Sequence, residues 1–255
     1  MAESSLSMGY PEFCAEIGHF LGYSRTSGNW TAGQLAEIEA ILNSGYRQFL
    51  TPPPLPGEQM SHEWSFIKPT TTLALVANDY DYTLPDDFGG IIGCFHWDTS
   101  NLWPAIEERT PQQILEMRQG STTTGRPLYF AIRPRYSDGT SGQRFEAIFY
   151  PTPDAAYTLT YHYVALLLKL SASYPYPFGG MAHAETILES CLAIAEERMD
   201  DAKAVHAQKW IERLVASVNS DRRRAPEFMG YNGDRSSTSK SVRPSYYVTV
   251  NSVQY

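Results

Sequence analysis

Between Met181 and Val218 the chain runs for 38 residues without a proline or a glycine. Ile187, Cys191, Ile194, Met199, Ala202, Val205, Leu214 and Val218 recur near the helical period within it. Such a stretch constrains the fold more than any other, because it predicts one long helix, on the order of 55 Å if continuous, broken at most near Asp200-Asp201. A helix that long buries its apolar stripe only by packing on others. The breaker cluster Pro175-Tyr-Pro-Phe-Gly-Gly180 marks its start.

The partners are legible in the first fifty residues. Pro11 stands at a first helical position, followed by Phe13, Ile17, Phe20 and Leu21, and Gly22 closes the segment. Thr31 and Gln34 have capping-box spacing, in which each side chain satisfies the other residue's orphan backbone donor. Leu35, Ile38, Leu42, Tyr46 and Phe49 then share a face, and Pro52-Pro53-Pro54 ends the helix. Two short helices and one long one predict a helical bundle.

Between them the period falls to two. Thr71–Ala77 and Tyr80–Leu84 read as a hairpin about Asn78-Asp79, followed by strands at Ile91–Trp97, Leu128–Arg133, Gln143–Tyr150 and Tyr157–Val164. Thr110 and Gln113 cap a short helix at Pro111–Arg118. The class is α+β: a helical bundle with an inserted antiparallel sandwich or barrel-like domain and an extended C-terminal tail. The expected parts are residues 1–60 (N-terminal helices), 61–172 (β domain), 173–219 (long helix) and 220–255 (arm).

That last part is unlike the rest. From Ser220 onward six cations face three anions, a net +3, which leaves 14 against 25, a net −11, on the remainder. The segment is rich in Gly and Ser, yet it ends in Tyr246-Tyr247-Val248-Thr249-Val250, a run with high strand preference. A flexible basic leash with a strand at its tip suits reaching out to a neighbour and adding to its sheet or filling a groove. The expected partner-binding residues are Arg222, Arg223, Arg224 and Arg243 for charge, and Tyr246, Tyr247, Val248 and Val250 for apolar contact. The 17 tyrosines suit interfaces and half-buried strands equally.

Catalytic chemistry finds little support. Asp79/Asp81, Asp86/Asp87, Glu107/Glu108, Glu196/Glu197 and Asp200/Asp201 fall in turns or on polar helix faces. Cys94 and His96 share a strand face but have no second ligand pair at finger-like spacing, and His183-Ala-Glu185 is not a zincin helix. Gly120–Gly125 lacks the Lys-Ser/Thr of a phosphate loop. Arg133, Arg135 and Arg144, with Tyr129 and Tyr136, could imitate a nucleic-acid platform, but the acidity of the chain argues against that as the main role. The expectation is a non-enzyme with no catalytic, metal or cofactor residues. Three dispersed cysteines fit a reducing compartment, and MAESSLSMGY lacks the basic and apolar regions of a signal peptide. The longest apolar run is far too short to span a bilayer.

Three phrases carry a resemblance: Ser44-Gly-Tyr-Arg-Gln-Phe-Leu50, Tyr82-Thr-Leu-Pro-Asp-Asp-Phe88 and Phe149-Tyr-Pro-Thr-Pro-Asp-Ala-Ala-Tyr-Thr-Leu159. With the order of helices, β insertion, helix and tail, the chain resembles bacteriophage head-to-tail adaptor proteins, in particular the tail tubular protein A type. The resemblance implies a virion protein at the head–tail junction, assembled in the host cytoplasm as a ring of twelve copies under the portal protein. The other face would meet a tail nozzle, tube or further connector, and DNA would pass through without specific binding. The alternative is a carbohydrate-binding or cell-wall-degrading tail component, with Trp97, Trp103 or Tyr129 exposed beside paired carboxylates. Another neck or tail ring, such as a tail terminator, is a third.

Overall fold

The structure is a computed structural model describing residues 4–98, 103–121, 123–137, 139–140, 142–200, 205–224, 249–250 and 253–254. Two compact units form, Met1–Ile67 with Leu167–Met229 and Lys68–Leu166 with Gly230–Tyr255.

In the first unit, α1 (Tyr10–Phe20) starts where the Glu12 carboxylate accepts the Gly9 N–H at 2.7 Å. Helix α2 (Ala32–Leu50) starts on the expected box, with the Gln34 N–H donating to Thr31 Oγ1 and the Thr31 N–H to Gln34 Oε1. Phe13 and Ile17 of α1 and Ile38, Ile41, Leu42, Tyr46 and Phe49 of α2 are buried, whereas Leu35 remains 37% exposed. Gly45 is where α2 meets the later helix α4 (Ala184–Asp200): a Cβ there would lie 2.5 Å from the Cys191 Cα. Only glycine permits that approach. Ser190 Oγ donates to the Gly45 carbonyl at 2.9 Å across the same crossing.

The long helix of the sequence reading is two helices here, α4 and α5 (Val205–Arg224), folded back on each other. Thr186 and Ser217 hydroxyls meet at 2.7 Å near one end of the pair. Near the other, Glu196 accepts the Val205 and His206 N–H groups at 3.1 and 3.0 Å, while His206 Nδ1 lies 2.7 Å from Glu189. Glu196 thus caps α5 from the preceding helix, a substitute for a local N-cap that no short motif reveals. Extending one apolar stripe through the break misplaces its flanks: Met199 and Val205 are more than half exposed, whereas Leu214 and Val218 are buried.

Ring stacking joins the segment after α2 to this core. Trp64 is fully buried, stacks on Phe49 with centroids 4.6 Å apart, and donates its indole N–H to the Phe49 carbonyl.

Among the described residues the second unit is a two-sheet sandwich. Its strands are β1 (Thr70–Leu75), β2 (Asp81–Thr83), β3 (Phe88–Trp97), β4 (Glu107–Glu108), β5 (Tyr129–Pro134), β6 (Phe145–Tyr150) and β7 (Tyr157–Ala165). One sheet has the order β1-β7-β3 and the other β2-β6-β5-β4, antiparallel except for the short parallel β4–β5 pair. Inward alternation along β3, β5, β6 and β7 brings Phe95 of one sheet against Phe130 and Phe149 of the other, at 4.8 and 5.3 Å. Helix α3 (Pro111–Gly120), on the Thr110–Gln113 box, lays Ile114 on Ala131 and Ile148 of the second sheet.

The expected hairpin about Asn78-Asp79 is instead a corner between sheets. β1 pairs with β7 and β2 with β6. Tyr82 explains why: its hydroxyl accepts the Val76 N–H and lies within bonding distance of the Val76 and Asp79 carbonyls. The turn's backbone groups are thereby satisfied without a hairpin ladder, and Asn78 takes φ +67 to make the bend.

Candidate functional site

The predicted contact residues begin at the end of α5, and there the chain is clasped. Asp221 is buried and accepts from the Ser65 N–H at 2.9 Å, from Ser65 Oγ, and from His62 Nε2 at 2.9 Å. Burial alone would raise its pKa; the hydrogen bonds from the Ser65 side chain and backbone and from His62 outweigh that and hold the carboxyl below its ordinary range. One residue on, Arg222 donates through both terminal nitrogens to the two oxygens of Glu58, each at 2.7 Å. The expected partner cation Arg222 is therefore engaged within its own chain. Arg223 is exposed and returns its Nε–H to the Asn219 carbonyl at 3.2 Å, and Arg224 is the last residue of α5. Arg243, Tyr246, Tyr247 and Val248 lie outside the described residues. Val250 lies on a two-residue strand, β8 (Thr249–Val250), paired antiparallel with β9 (Val253–Gln254).

A groove on the helical unit is the feature that sequence reasoning missed. Tyr10, Pro11 and Cys14 of α1, Ser27 and Trp30 of the following turn, Leu35 of α2, and Ala172 and Pro175 line a cavity of about 300 Å³. Hydrogen bonds fix its walls. The Tyr10 N–H donates to the Pro175 carbonyl, Tyr10 Oη donates to Glu39 Oε1, and the Trp30 indole donates to the Ser24 carbonyl. Burial, and then the bond to Glu39, push the Tyr10 hydroxyl well above the usual tyrosine range, so it remains a donor at neutral pH. Burial lifts the Cys14 thiol to about 11, which keeps it protonated and unreactive. In the segment that carries Pro175, Tyr174 and Tyr176 are more than half exposed, with Phe178 and Met181 nearly so. Hydrogen bonds tie their loop. Ser171 and Tyr174 exchange backbone hydrogen bonds and the Phe178 N–H donates to Tyr46 Oη at 3.0 Å. The sequence signal was Tyr174-Pro-Tyr-Pro-Phe178, which reads as a helix breaker and gives no sign that its rings face solvent.

The other candidate chemistry is taken up by the chain itself. Trp97 is buried with its indole on the Pro104 carbonyl, and the rings of Trp103 and Tyr129 each carry a guanidinium, Arg126 and Arg109, at 4.9 Å. One face of each of these two rings is therefore occupied by a side chain of the same chain. Among the carboxylate pairs, Asp86 meets Arg144, Asp87 accepts from Tyr163 Oη and Glu107 meets Arg109. Arg133 is ion-paired with Glu146 at 2.6 Å and Arg144 with Asp86, while Arg135 donates to the neutral Thr83, so two of the three platform cations are paired locally. Cys94 Sγ lies 3.9 Å from His96 Nε2, and among the described residues no three potential ligands gather as a metal site would require. Nor is any helix of the described residues long and apolar enough to cross a membrane.

The three quoted phrases now have structural meanings. Ser44–Leu50 contains the glycine crossing, Tyr46, which accepts the Phe178 N–H, and Phe49, whose carbonyl accepts the Trp64 indole N–H; Tyr82–Phe88 holds the sheet corner, and Pro153 accepts the Asn78 N–H at that same corner. The SU10 adaptor protein family matches residues 8–243, almost the whole chain. The chain belongs to that family. An SU10 adaptor is a bacteriophage structural protein of the head–tail junction. The matched span includes Arg222, Arg223, Arg224 and Arg243 and stops short of Tyr246. No curated protein matches the chain.

Proposed function

We propose that this SU10 adaptor acts without catalysis, as a ring of copies joining the portal to the tail in the manner of the tail tubular protein A type. Its C-terminal arm docks on the portal, and its acidic remainder lines a channel that does not hold the passing DNA. The observation that carries the reading is the clasp at the end of α5. Asp221 and Arg222 fasten the last turn of the helix to His62, Ser65 and Glu58, so the arm leaves from a fixed point. A fixed root limits the arm's search and raises its effective concentration at any surface within reach. Arg223, Arg224 and Arg243 supply cations for an acidic partner surface, and the net charge of −11 on the remainder weakens attraction for polyanionic DNA.

The test is truncation after Pro226, which leaves α5 and its clasp in place. The truncated protein should match the full chain in thermal unfolding yet fail to bind portal in a sedimentation or light-scattering assay. Undiminished portal binding would remove the arm from the mechanism.

A further inference from the structure

The groove on the helical unit has no role in the reading above. We infer that it receives the aromatic tip of the arm, Tyr246-Tyr247-Val248, from a neighbouring copy, so that each subunit is tied to the next. This inference rests on the ring reading.

Four observations support that occupant. The groove is preformed, with Tyr10 tied to Pro175 and Trp30 to Ser24, so a guest meets walls that need no reordering. Its volume of about 300 Å³ and its lining by Tyr10, Pro11, Trp30 and Leu35 suit an apolar aromatic segment. Charge is complementary, because the groove's helices carry Glu12, Glu16, Glu37 and Glu39, with Glu39 held at the wall by Tyr10, while the segment beyond α5 carries Arg235, Lys240 and Arg243 against Glu227 and Asp234, a net +1. The length also fits. Tyr246 is 22 residues beyond Arg224, where α5 ends. That stretch can extend at most about 75 Å, ample to reach an adjacent subunit. A tip from one copy in the groove of the next is a head-to-tail contact, the kind that closes into a ring when repeated by rotation.

Leu35 offers a site for the test, since its exposed side chain tolerates replacement. In a Cys94→Ser background, an isotope-labelled chain carrying Leu35→Cys is mixed with an unlabelled chain carrying Tyr247→Cys. The mixture is assembled with portal, oxidised mildly and mapped by mass spectrometry. Circular dichroism of each variant confirms the fold. The expected result is a disulfide between labelled and unlabelled chains, joining position 247 to position 35. Assembly on the portal without that link would overturn the inference while leaving the ring reading intact. In a separate chain carrying both Leu35→Cys and Tyr247→Cys, a link formed only within single chains would show the arm folding back on its own groove, and would overturn it equally. Failure to assemble at all would overturn both readings. As a second readout, Leu35→Arg should raise the protein concentration needed for ring assembly at least about tenfold; unchanged assembly would count against the groove.

Discussion

Replacing Gly45 by alanine sets two ordinary effects against each other. Within a helix, alanine is favoured over glycine by about 0.5–1 kcal/mol, so propensity alone predicts a more stable protein. The crossing of α2 with α4 predicts the reverse. The new Cβ would stand 2.5 Å from the Cys191 Cα and 2.7 Å from its N and Sγ, where non-bonded carbons prefer about 3.5–4.0 Å. Two of these neighbours are backbone atoms, so no rotamer relieves the clash. The helices must separate by about 1 Å, which stretches the bond from Ser190 Oγ to the Gly45 carbonyl and loosens Phe49 and Ile187 nearby. Overpacking of this kind costs about 1–3 kcal/mol, and a backbone clash belongs at or beyond the upper end. After the propensity gain, a net loss of about 2 kcal/mol is expected. Thermal unfolding followed at 222 nm should then show a Tm lower by about 6 °C. Gly33→Ala is the control, since its Cβ would meet nothing nearer than Thr31 Oγ1 at 4.0 Å. Its stability should match wild type or exceed it by up to about 1 kcal/mol, the propensity gain alone. A Gly45→Ala protein as stable as wild type would refute the close crossing.

Tyr82→Phe should cost about 1–3 kcal/mol, because the Val76 N–H loses its partner at the sheet corner, and urea unfolding measures the loss. Asp221 has a folded pKa below its unfolded value of about 3.9, so its contribution is complete above about pH 5 and disappears as the pH falls through the folded pKa. Asp221→Asn should accordingly flatten the acid limb of a stability–pH profile, and an unchanged limb would assign that limb to other carboxyls. Glu196→Gln should speed amide exchange at Val205 and His206 without affecting Thr31–Gln34, as read by hydrogen–deuterium exchange. Cys14 and Cys191 are buried with raised thiol pKa values, so alkylation at neutral pH should modify Cys94 first and the other two only on unfolding.

The helices capped by local chemistry were the easiest to read. Thr31 with Gln34 and Thr110 with Gln113 form their boxes within four residues, and the structure keeps both. The break near Asp200-Asp201 was legible as a position, but that it turns one helix into two was not, because the cap of α5 comes from Glu196, nine residues before Val205, in a stretch with no proline or glycine. The pairing of β1 and β2 was misread for a related reason. Asn78-Asp79 is good turn chemistry in a hairpin or at a corner, and a tyrosine hydroxyl three residues on decides between them. Inward-facing aromatics in the sandwich followed from alternation, whereas the groove depends on parts of the chain more than 130 residues apart, Tyr10 and Pro175. No local pattern encodes that meeting. The Arg222–Glu58 pair was likewise not legible, because Glu58 comes from the loop after α2, 164 residues earlier.

The central claim is most directly tested by the mass of the purified protein, alone and mixed with its portal, measured by native mass spectrometry. The account predicts that mixing yields a complex holding a complete ring of this chain, twelve copies on a portal of twelve, and that truncation after Pro226 abolishes it. A protein that stays monomeric at every concentration and leaves the portal's mass unchanged would contradict the account.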